Sequence, residues 1–449
     1  MARLFGTDGV RGLANVDLTA PLALELGEAA ARLTIQGRPA SGHKPKAIIG
    51  RDTRISGEFL DHALAAGLAS AGMDVVRVGV VTTPTVAHLT ASSSVDLGVM
   101  ISASHNPMPD NGIKFFAHGG YKLPDQVEDQ IQELLNTSWD RPTGAAVGEV
   151  EYDDDWAEKS YIEHLMASLG TDLHGLRIAV DCANGGASFL APEAFRQAGA
   201  DAVVINAAPD GRNINDKAGS THPEQLQALT VASEADFGVA YDGDADRCLA
   251  VDRDGNIVDG DKIMGALAVH MRDEGQLAKD TLVVTVMSNL GLILAMQEAG
   301  IKTVQTGVGD RYVLEAMLEG GYSLGGEQSG HIIAKKYATT GDGILSSLLL
   351  ARMVKESGRD LADLTSFIKR LPQTLINVGG VDRSRASTDP AVQEAVAAAE
   401  AVLGNTGRVL LRPSGTEPLV RVMVEAATQS QADGVASRLA DVVKENLAL

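Results

Sequence analysis

Apolar residues in the first part of the chain fall into short continuous runs, and helical patterns separate these runs. Three such runs span residues 46–50, 73–79 and 97–102 and are rich in Val and Ile, which predicts β-strands. Residues 57–71 place their apolar side chains at the intervals of an amphipathic helix. The alternation of strands and helices predicts a mostly parallel sheet that helices cover.

The same pattern begins again twice further along the chain. The second unit has three strand-like runs and a predicted helix through Phe195; the runs are residues 176–181, 201–206 and 237–242. The third has two strand-like runs, residues 281–286 and 302–307, with predicted helices through Ala299 and from Tyr312. Three similar units indicate a structural repeat, although the sequence has no repeat of fixed period.

The C-terminal part of the chain has a different order of elements. Its predicted elements are strands at residues 374–380, 408–412 and 419–425, a helix from Asp389 and a final helix from Gln431. Only PSGTEP joins the last two strands, so we expect them to pair antiparallel in an α+β domain.

The predicted fold class is α/β, with three related α/β domains of mixed or parallel sheets and a smaller C-terminal α+β domain. Boundaries near Glu151, Asp259 and Leu371 give four predicted domains, which are residues 1–150, 151–258, 259–370 and 371–449. Each predicted domain contains one of the four candidate loops described below.

Composition and charge narrow the possible partners. Of the 449 residues 45% are apolar and 22% charged, which is typical of a globular protein. The formal net charge of −21 opposes binding to nucleic acid and to anionic membranes. An anionic substrate such as a sugar phosphate would therefore need a local cluster of Arg and Lys residues.

The two cysteines, Cys182 and Cys248, do not form a disulfide framework, which favours a reducing compartment. The N-terminal segment lacks the apolar core of a signal peptide, and no apolar stretch reaches the length of a membrane span. We therefore expect a cytoplasmic protein.

The first candidate loop, SASHNP, follows the strand-like run at residues 97–102. Loops at the C-terminal ends of strands commonly bind ligands in α/β sheets, and Ser104 is a candidate nucleophile. In an extended segment the side chain of His105 would point away from Ser104, so His105 is predicted to be a poor base for it. Lys114 could neutralise a phosphate. An ordinary turn stabilised by Asn-Pro and Asn-Gly is the alternative interpretation.

The second candidate loop, DGDADR, places Asp242, Asp244 and Asp246 at alternate positions between two apolar runs. Oxygen ligands of this kind favour Mg²⁺, Mn²⁺ or Ca²⁺ over zinc. An EF-hand is excluded because its sixth and twelfth positions would be Arg247 and Arg253. A solvated Asp/Gly turn is the alternative, but close carboxylates repel each other without a cation.

The third candidate loop, GEQSGH, contains Glu327 and Ser329, whose side chains suit the recognition of sugar hydroxyls. The preceding GYSLG matches the pattern of a nucleophile elbow around Ser323, but no helix start follows it, so an elbow is not predicted. A flexible glycine loop is the alternative interpretation.

The fourth candidate loop, RPSGTEP, lies between the last two predicted strands. It combines Arg412 with hydroxyls and with a glycine that permits close backbone approach; its other candidate residues are Ser414, Gly415 and Thr416. Arg412 and Arg421 could bind a phosphate through bidentate contacts. A hairpin loop with two surface arginines is the alternative.

These four loops, in this order, resemble the motifs of the α-D-phosphohexomutase superfamily, and the resemblance extends from FGTDGVRG at residues 5–12 to the C-terminal domain. The opening FGTDGVRG, Ala245 and Gln328 are similar to the corresponding features of bacterial phosphoglucosamine mutases. Relatives that act on mannose and glucose phosphates more typically have Met at the position of Gln328.

The resemblance implies four domains around a central cleft and a set of site residues. Ser104 would be the phosphoserine and, with Asp242, Asp244 and Asp246, would ligate one Mg²⁺. The other implied catalytic residues are Arg11, Lys114, Arg247 and His331. Glu327 and Ser329 would bind sugar hydroxyls, and the substrate phosphate would contact Arg412, Ser414, Gly415 and Thr416.

The function that the resemblance implies is the interconversion of glucosamine 6-phosphate and glucosamine 1-phosphate, with glucosamine 1,6-bisphosphate as intermediate or primer. Such a reaction feeds the synthesis of amino-sugar nucleotides and cell-wall precursors. A phosphomannomutase/phosphoglucomutase with the same mechanism is the alternative, and homodimers are common in the family. A phosphosugar phosphatase and a non-catalytic binding protein are further alternatives, whereas the sequence has no P-loop that would indicate a nucleotide-dependent kinase.

Overall fold

The structure, a computed structural model, describes residues 3–6, 8–37, 44–414 and 419–449. The chain divides into two compact units. The first consists of Met1–Met287 and Ile301–Ser366, and the second of Ser288–Gly300 and Phe367–Leu449. Three sheets belong to the first unit and one to the second.

The first sheet contains seven strands. Its elements and neighbouring helices are β1 (Val10–Leu13), α1 (Ala20–Gly37), β2 (Lys46–Arg51), α2 (Ile55–Ser70), β3 (Asp74–Val80), α3 (Thr83–Ser92), β4 (Leu97–Ile101), β5 (Asp110–Ala117), β6 (Tyr121–Lys122), α4 (Asp125–Leu134), β7 (Val150–Tyr152) and α5 (Asp154–Leu169). The strand order is β1-β5-β4-β2-β3-β7, with β6 beside β5. Strands β2, β3, β4 and β7 are parallel, and β5 runs antiparallel to β4.

Helices α1 and α2 pack closely against each other on this sheet. A β-carbon on Gly67 of α2 would lie 2.1 Å from the carbonyl oxygen of Leu24 in α1, so only glycine permits this approach of the two backbones. The buried side chains of Leu26, Leu64 and Leu68 fill the adjacent core. The glycine at this contact lets the two helices approach each other closely where they cover the sheet.

The second sheet contains five strands in the order β12-β11-β10-β8-β9. Its elements are β8 (Arg177–Asp181), α6 (Ala187–Gln197), β9 (Asp201–Ile205), α7 (Glu224–Ala232), β10 (Phe237–Tyr241), β11 (Cys248–Asp252) and β12 (Ile257–Val258). Strands β8, β9 and β10 are parallel, and β11 runs antiparallel to β10.

The third sheet contains four strands in the order β14-β13-β15-β16. The elements of this part of the chain are α8 (Gly260–Asp273), β13 (Thr281–Thr285), α9 (Leu290–Glu298), β14 (Lys302–Thr306), α10 (Asp310–Gly320), β15 (Leu324–Gly326), β16 (Ile332–Ala334), α11 (Gly343–Ser357) and α12 (Leu361–Thr365). Strands β13, β14 and β15 are parallel, and β16 runs antiparallel to β15. Helix α9 belongs to the second compact unit.

The second compact unit is built on a three-stranded antiparallel sheet in the order β17-β19-β18. Its remaining elements are β17 (Gln373–Gly379), α13 (Pro390–Leu403), β18 (Arg408–Pro413), β19 (Leu419–Glu425) and α14 (Gln429–Leu447). Val420, Val422 and Val424 of β19 form its core with side chains of α14 such as Val435 and Leu439. The predicted antiparallel pairing of the last two strands is confirmed.

Each run that was predicted as a strand forms one, and the predicted helices form with differences of one or two residues at their starts and ends. Helix α14 begins at Gln429 rather than Gln431, because the Thr428 side chain accepts a hydrogen bond from the Gln431 backbone N–H and caps the helix. The predicted α/β fold with a smaller α+β domain is confirmed.

Both cysteines are buried and unpaired. None of the helices in the described part of the chain combines the length and the apolar character that crossing a membrane requires.

Candidate active site

Three of the four candidate loops occupy equivalent places in their sheets. SASHNP joins β4 to β5, DGDADR joins β10 to β11, and GEQSGH joins β15 to β16. In each case the loop leaves a parallel strand and enters an antiparallel neighbour. The repeat in the fold therefore presents one candidate loop at the same place in each sheet of the first unit.

The Ser104 hydroxyl lies directly against the second of these loops. It is fully buried and donates a hydrogen bond of 2.6 Å to Oδ2 of Asp242. The φ angle of Ser104 is 52°, which is in the left-handed region and unusual for a residue with a β-carbon. The first and second candidate loops thus meet at one point.

The prediction that His105 points away from Ser104 is wrong. Its Nδ1 lies 3.4 Å from Ser104 Oγ, because the left-handed Ser104 interrupts the alternation of an extended segment. The same nitrogen accepts a hydrogen bond of 2.8 Å from Arg247 Nη1. Burial, and then the charges of Arg247 and Arg11, lower the pKa of His105 to about 4. The Nδ1 lone pair is engaged by Arg247, so His105 is a poor base for Ser104 for a different reason.

The three aspartates of DGDADR form a buried cluster that fits a cation. Oxygen atoms of Asp242, Asp244 and Asp246 all lie within 4.8 Å of one another. The Oδ1 atoms of Asp244 and Asp246 are buried and have no hydrogen-bond partner among the described residues. Burial, and then the charges of Asp246 and Asp244, hold the pKa of Asp242 well above its usual range. A divalent cation would offset the repulsion between the carboxylates and would give the two unpartnered oxygen atoms a ligand.

Lys114 supplies the nearest positive charge to this cluster. Its Nζ lies 2.8 Å from Asp244, 2.9 Å from Asp8 and 3.9 Å from Asp246. Burial acts to lower the pKa of Lys114, but the charges of Asp244 and Asp8 raise it overall. Asp244 also accepts a hydrogen bond of 2.7 Å from Thr83 Oγ1, which fixes its orientation. Lys114 is therefore a charged ammonium group held beside Ser104 and the aspartates.

Arg247 and Arg11 add two guanidinium groups at the same place. The backbone N–H of Arg247 donates to Asp242 Oδ1 at 3.3 Å. Arg11 donates to Asp8 and, at 3.4 Å, to Asn106 Oδ1 in the SASHNP loop. The structure thus brings together the basic cluster that a phosphate needs in a protein of net charge −21.

The third loop positions a carboxylate and a histidine. Glu327 is half-buried and its Oε1 accepts a hydrogen bond of 3.0 Å from the Gly309 N–H, while Ser329 is exposed on the same turn. His331 is buried, and its Nε2 accepts from the Gly341 N–H at 3.2 Å. The Nδ1 atom of His331 has no hydrogen-bond partner among the described residues.

Ser323 does not form a nucleophile elbow. It precedes β15 and not a helix, and its hydroxyl donates to the Gln276 carbonyl oxygen at 3.0 Å. The expectation against an elbow is confirmed.

A chain of ion pairs that the sequence analysis did not identify extends from Lys114 through Asp8 and Lys122 to Asp310, which lies beside His331. Lys122 contacts Asp8 at 2.6 Å and also pairs with Asp310. His331 Nε2 lies 3.5 Å from Asp310 Oδ2. Asp8 lies in the FGTDGVRG motif, and its place in that motif was the one feature of the sequence that could have indicated a role at the site. Nothing in the local pattern around Lys122 or Asp310 indicated that they would meet.

The fourth loop lies in the second compact unit. Arg412 of β18 is directly opposite Arg421 of β19, so both side chains lie on the same face of the sheet. The Ser414 N–H donates to the Leu419 carbonyl oxygen at 2.9 Å, and Arg383, which the sequence analysis missed, donates to the Ser414 carbonyl oxygen. Gly415 and Thr416 lie outside the described residues.

Comparison with known families identifies all four parts of the chain. Residues 2–141, 159–255, 259–371 and 375–442 match domains I, II and III and the C-terminal domain of phosphoglucomutase/phosphomannomutase. The chain belongs to the phosphoglucomutase/phosphomannomutase family. The four candidate loops are therefore distributed over its four domains, one in each.

Individual members of this family resemble the chain over its whole length. A phosphoglucosamine mutase from Bifidobacterium animalis subsp. lactis is 61% identical, with 100% of both chains covered. A structure of a phosphoglucomutase/phosphomannomutase family protein from Burkholderia thailandensis is 26% identical, with a TM-score of 0.80 over 99% of this chain and 97% of the other. Aspergillus fumigatus N-acetylphosphoglucosamine mutase, in complex with GlcNAc-6P and magnesium, is 20% identical with a TM-score of 0.70 over 99% and 96%; that likeness shows the fold.

Proposed function

We propose that the protein interconverts glucosamine 6-phosphate and glucosamine 1-phosphate, with phosphorylated Ser104 and glucosamine 1,6-bisphosphate as intermediates. The observation that carries this proposal is the contact of 2.6 Å between the Ser104 hydroxyl and the aspartate cluster, beside the Lys114 ammonium. The amino-sugar substrate is supported by the name of the relative that is 61% identical over its full length. The product suits a following reaction that activates a sugar 1-phosphate.

The reaction balances in two transfers. In the first, the bond between phosphorus and Ser104 Oγ breaks while a bond to O1 of the sugar forms, and the proton lost by O1 is gained by Oγ. In the second, the bisphosphate presents its 6-phosphate, whose bond to O6 breaks while a bond to Oγ forms. The proton of Ser104 then ends on O6, and the enzyme returns to its phosphorylated state.

The residues around Ser104 would stabilise charge and orient the groups that react. Lys114 and Arg247 would neutralise the oxygens of the transferred phosphoryl group, because such transfer depends mainly on positioning and charge stabilisation. A Mg²⁺ ion held by Asp242, Asp244, Asp246 and a phosphoserine oxygen would add further charge stabilisation. His331, whose Nδ1 has no hydrogen-bond partner among the described residues, would exchange a proton with the substrate hydroxyl.

The remaining site residues would hold the substrate. Glu327 and Ser329, which belong to the third domain, would bind the hydroxyl groups of the sugar. Arg412, Ser414 and Arg421, with Gly415 and Thr416, would bind the phosphate that is not transferred. One such phosphate site would serve both transfers, because the bisphosphate presents its two ends in turn.

The test is the formation of glucosamine 1-phosphate from glucosamine 6-phosphate with Mg²⁺ and a trace of glucosamine 1,6-bisphosphate. Ser104→Ala should abolish activity, whereas Ser168→Ala should not, since Ser168 is a buried serine whose hydroxyl donates to the His164 carbonyl oxygen of its own helix. Full activity of Ser104→Ala would overturn the phosphoserine mechanism. Activity restricted to glucose or mannose 6-phosphate would be consistent with the proposed mechanism and would contradict the proposed amino-sugar substrate.

A further inference from the structure

Arg54 is fully buried immediately before α2, and its guanidinium group faces the backbone of the SASHNP loop. Its Nη2 donates to the carbonyl oxygens of Ser104 and Asn106, each at 2.9 Å, and its Nη1 donates to that of Pro107 at 2.7 Å. Its Nε donates to Asp52 at 3.0 Å. All three nitrogen atoms of this side chain are thus engaged, and none of its surface is available to a substrate.

Asp52 connects the same arginine to the backbone N–H of Ser104. It is also fully buried, and its Oδ2 accepts a hydrogen bond of 2.6 Å from the Ser102 hydroxyl. Ser102 Oγ in turn accepts from the Ser104 N–H at 2.9 Å. The backbone N–H and the backbone carbonyl of Ser104 are therefore both held by one buried network.

Asn215 holds the same loop from the second domain. Its Nδ2 donates to the carbonyl oxygens of Ser104 at 2.8 Å and of Asn106 at 3.1 Å. The DGDADR loop also lies against this point, since a β-carbon on Gly243 would be 2.6 Å from the Ser104 carbonyl oxygen. The carbonyl oxygens of Ser104 and Asn106 in the SASHNP loop thus accept hydrogen bonds from Arg54 of the first domain and from Asn215 of the second.

The loop needs these donors because of its unusual backbone. At φ 52° the Ser104 β-carbon is crowded, and the free chain would favour another conformation. The left-handed backbone is also what directs the Ser104 hydroxyl to Asp242. Strained conformations of this kind persist only where the surrounding structure fixes them.

We propose that Arg54 and Asn215 are positioning residues for phosphoryl transfer, and that they act by holding the Ser104 backbone in its left-handed conformation. This inference rests on the proposed function of Ser104 and extends it to two residues whose side chains donate to the backbone of the SASHNP loop and not to Asp242, Asp244 or Asp246. Their loss should lower kcat and leave KM nearly unchanged, because only the placement of Oγ changes.

The experiment compares Arg54→Lys and Asn215→Asp with matched controls. Aspartate tolerates the left-handed backbone of Asn215 (φ 58°) but cannot donate to the two carbonyls. Asn213→Asp is the control for Asn215, because Asn213 lies in the same loop and its amide donates to the Ala208 carbonyl oxygen. Arg77→Lys is the control for Arg54, because Arg77 makes two bonds to Asp61 and none to the SASHNP loop.

Each protein is assayed for kcat and KM with glucosamine 6-phosphate, and for thermal stability. The rate at which Ser104 takes up phosphate from glucosamine 1,6-bisphosphate is followed by intact-protein mass. We expect kcat and this rate to fall by about 10- to 100-fold in both variants, with KM within about twofold of wild type. The controls should keep kcat and the phosphorylation rate.

The inference is overturned if both variants match their controls in kcat and phosphorylation rate, or if KM rises while kcat is retained. If Arg54→Lys does not fold, Asn215→Asp alone decides the outcome. If the wild type is phosphorylated but does not act on glucosamine 6-phosphate, the proposed substrate fails and the phosphorylation rates still decide the inference. If Ser104 takes up no phosphate in the wild type, both proposals fail.

Discussion

At the scale of single residues, the environment of each ionisable group determines its charge, and sequence position alone does not. Lys114 and Asp244 are charged because each is the other's partner, with 2.8 Å between Nζ and Oδ2. His88, on α3, has no oppositely charged partner in the part of the chain that the structure describes. Its ring stacks on that of His164 with 4.2 Å between the centroids. Two stacked imidazoles cannot both be protonated at low cost.

His88 provides the pH dependence that we predict. Burial, and then the nearby His164, lower its pKa from 6.5 to about 4. The unfolded chain therefore binds a proton between these values and the folded chain does not. The free energy of unfolding is therefore unaffected by His88 above pH 6.5. As the pH falls from 6.5 towards 4, protonation of His88 in the unfolded chain lowers the free energy of unfolding by up to about 3 kcal/mol.

The measurement is the free energy of unfolding in urea at about pH 7 and about pH 4.5. His88→Gln should lose less stability than the wild type between these two conditions, and the difference between the proteins reports the titration of His88 with its stacked neighbour His164. His62→Gln is the control, because His62 is exposed. Equal pH dependence of His88→Gln and the wild type would contradict the prediction.

At the scale of elements, the sequence predicted strands and helices well and loop geometry poorly. β4 is buried along its whole length, and the apolar run at residues 97–102 indicates this directly. The direction of His105 was not predictable, because it depends on the left-handed Ser104, which is held by Arg54 some 50 residues earlier. Likewise, Lys122 and Asp310 meet only through tertiary contacts.

The contact between α1 and α2 gives a prediction at this scale. A β-carbon on Gly67 would lie 2.1 Å from backbone oxygen, so Gly67→Ala must separate the two helices. We expect a loss of about 3 kcal/mol in the free energy of unfolding. The matched control is Gly37→Ala at the end of α1, where a β-carbon would have no neighbour within 4 Å among the described residues.

Both variants are measured by denaturant unfolding. Gly37→Ala should change the free energy of unfolding by less than about 1 kcal/mol. A Gly67→Ala protein as stable as Gly37→Ala would show that the helices can move apart without cost.

At the scale of the whole molecule, the composition predicted a globular acidic protein and the order of four loops indicated the family. The family resemblance implied that Arg11, Lys114 and Arg247 lie at the site of Ser104, whereas their spacing in the sequence alone did not indicate it. Arg11, Lys114 and Arg247 are far apart in the sequence, and only the fold makes them one positive cluster in a chain of net charge −21. The predicted homodimer and cytoplasmic location stay predictions.

Binding of Mg²⁺ should stabilise the first compact unit as a whole, because the aspartate cluster and Ser104 come from different sheets of that unit. At a hundredfold excess over its dissociation constant, the gain should be about 2.7 kcal/mol. Thermal unfolding with EDTA and then with added Mg²⁺ measures it as a rise in Tm.

Asp244→Asn should lose most of this rise. Glu356→Gln should keep it, although Glu356 belongs to the second group of acidic and histidine side chains, with His270 and Glu274. A rise of equal size in Asp244→Asn would place the stabilising ion elsewhere.

The two buried cysteines make the native protein suitable for site-specific labelling. Burial raises the pKa of both thiols, so neither presents a reactive thiolate to a maleimide dye. A cysteine introduced at an exposed position, such as Ser357 in the first unit or Ser430 in the second, would be the group that reacts. Fluorophores could thus be attached to each unit in a chain that keeps both of its natural cysteines, and energy transfer between the dyes would report the distance between the units during turnover.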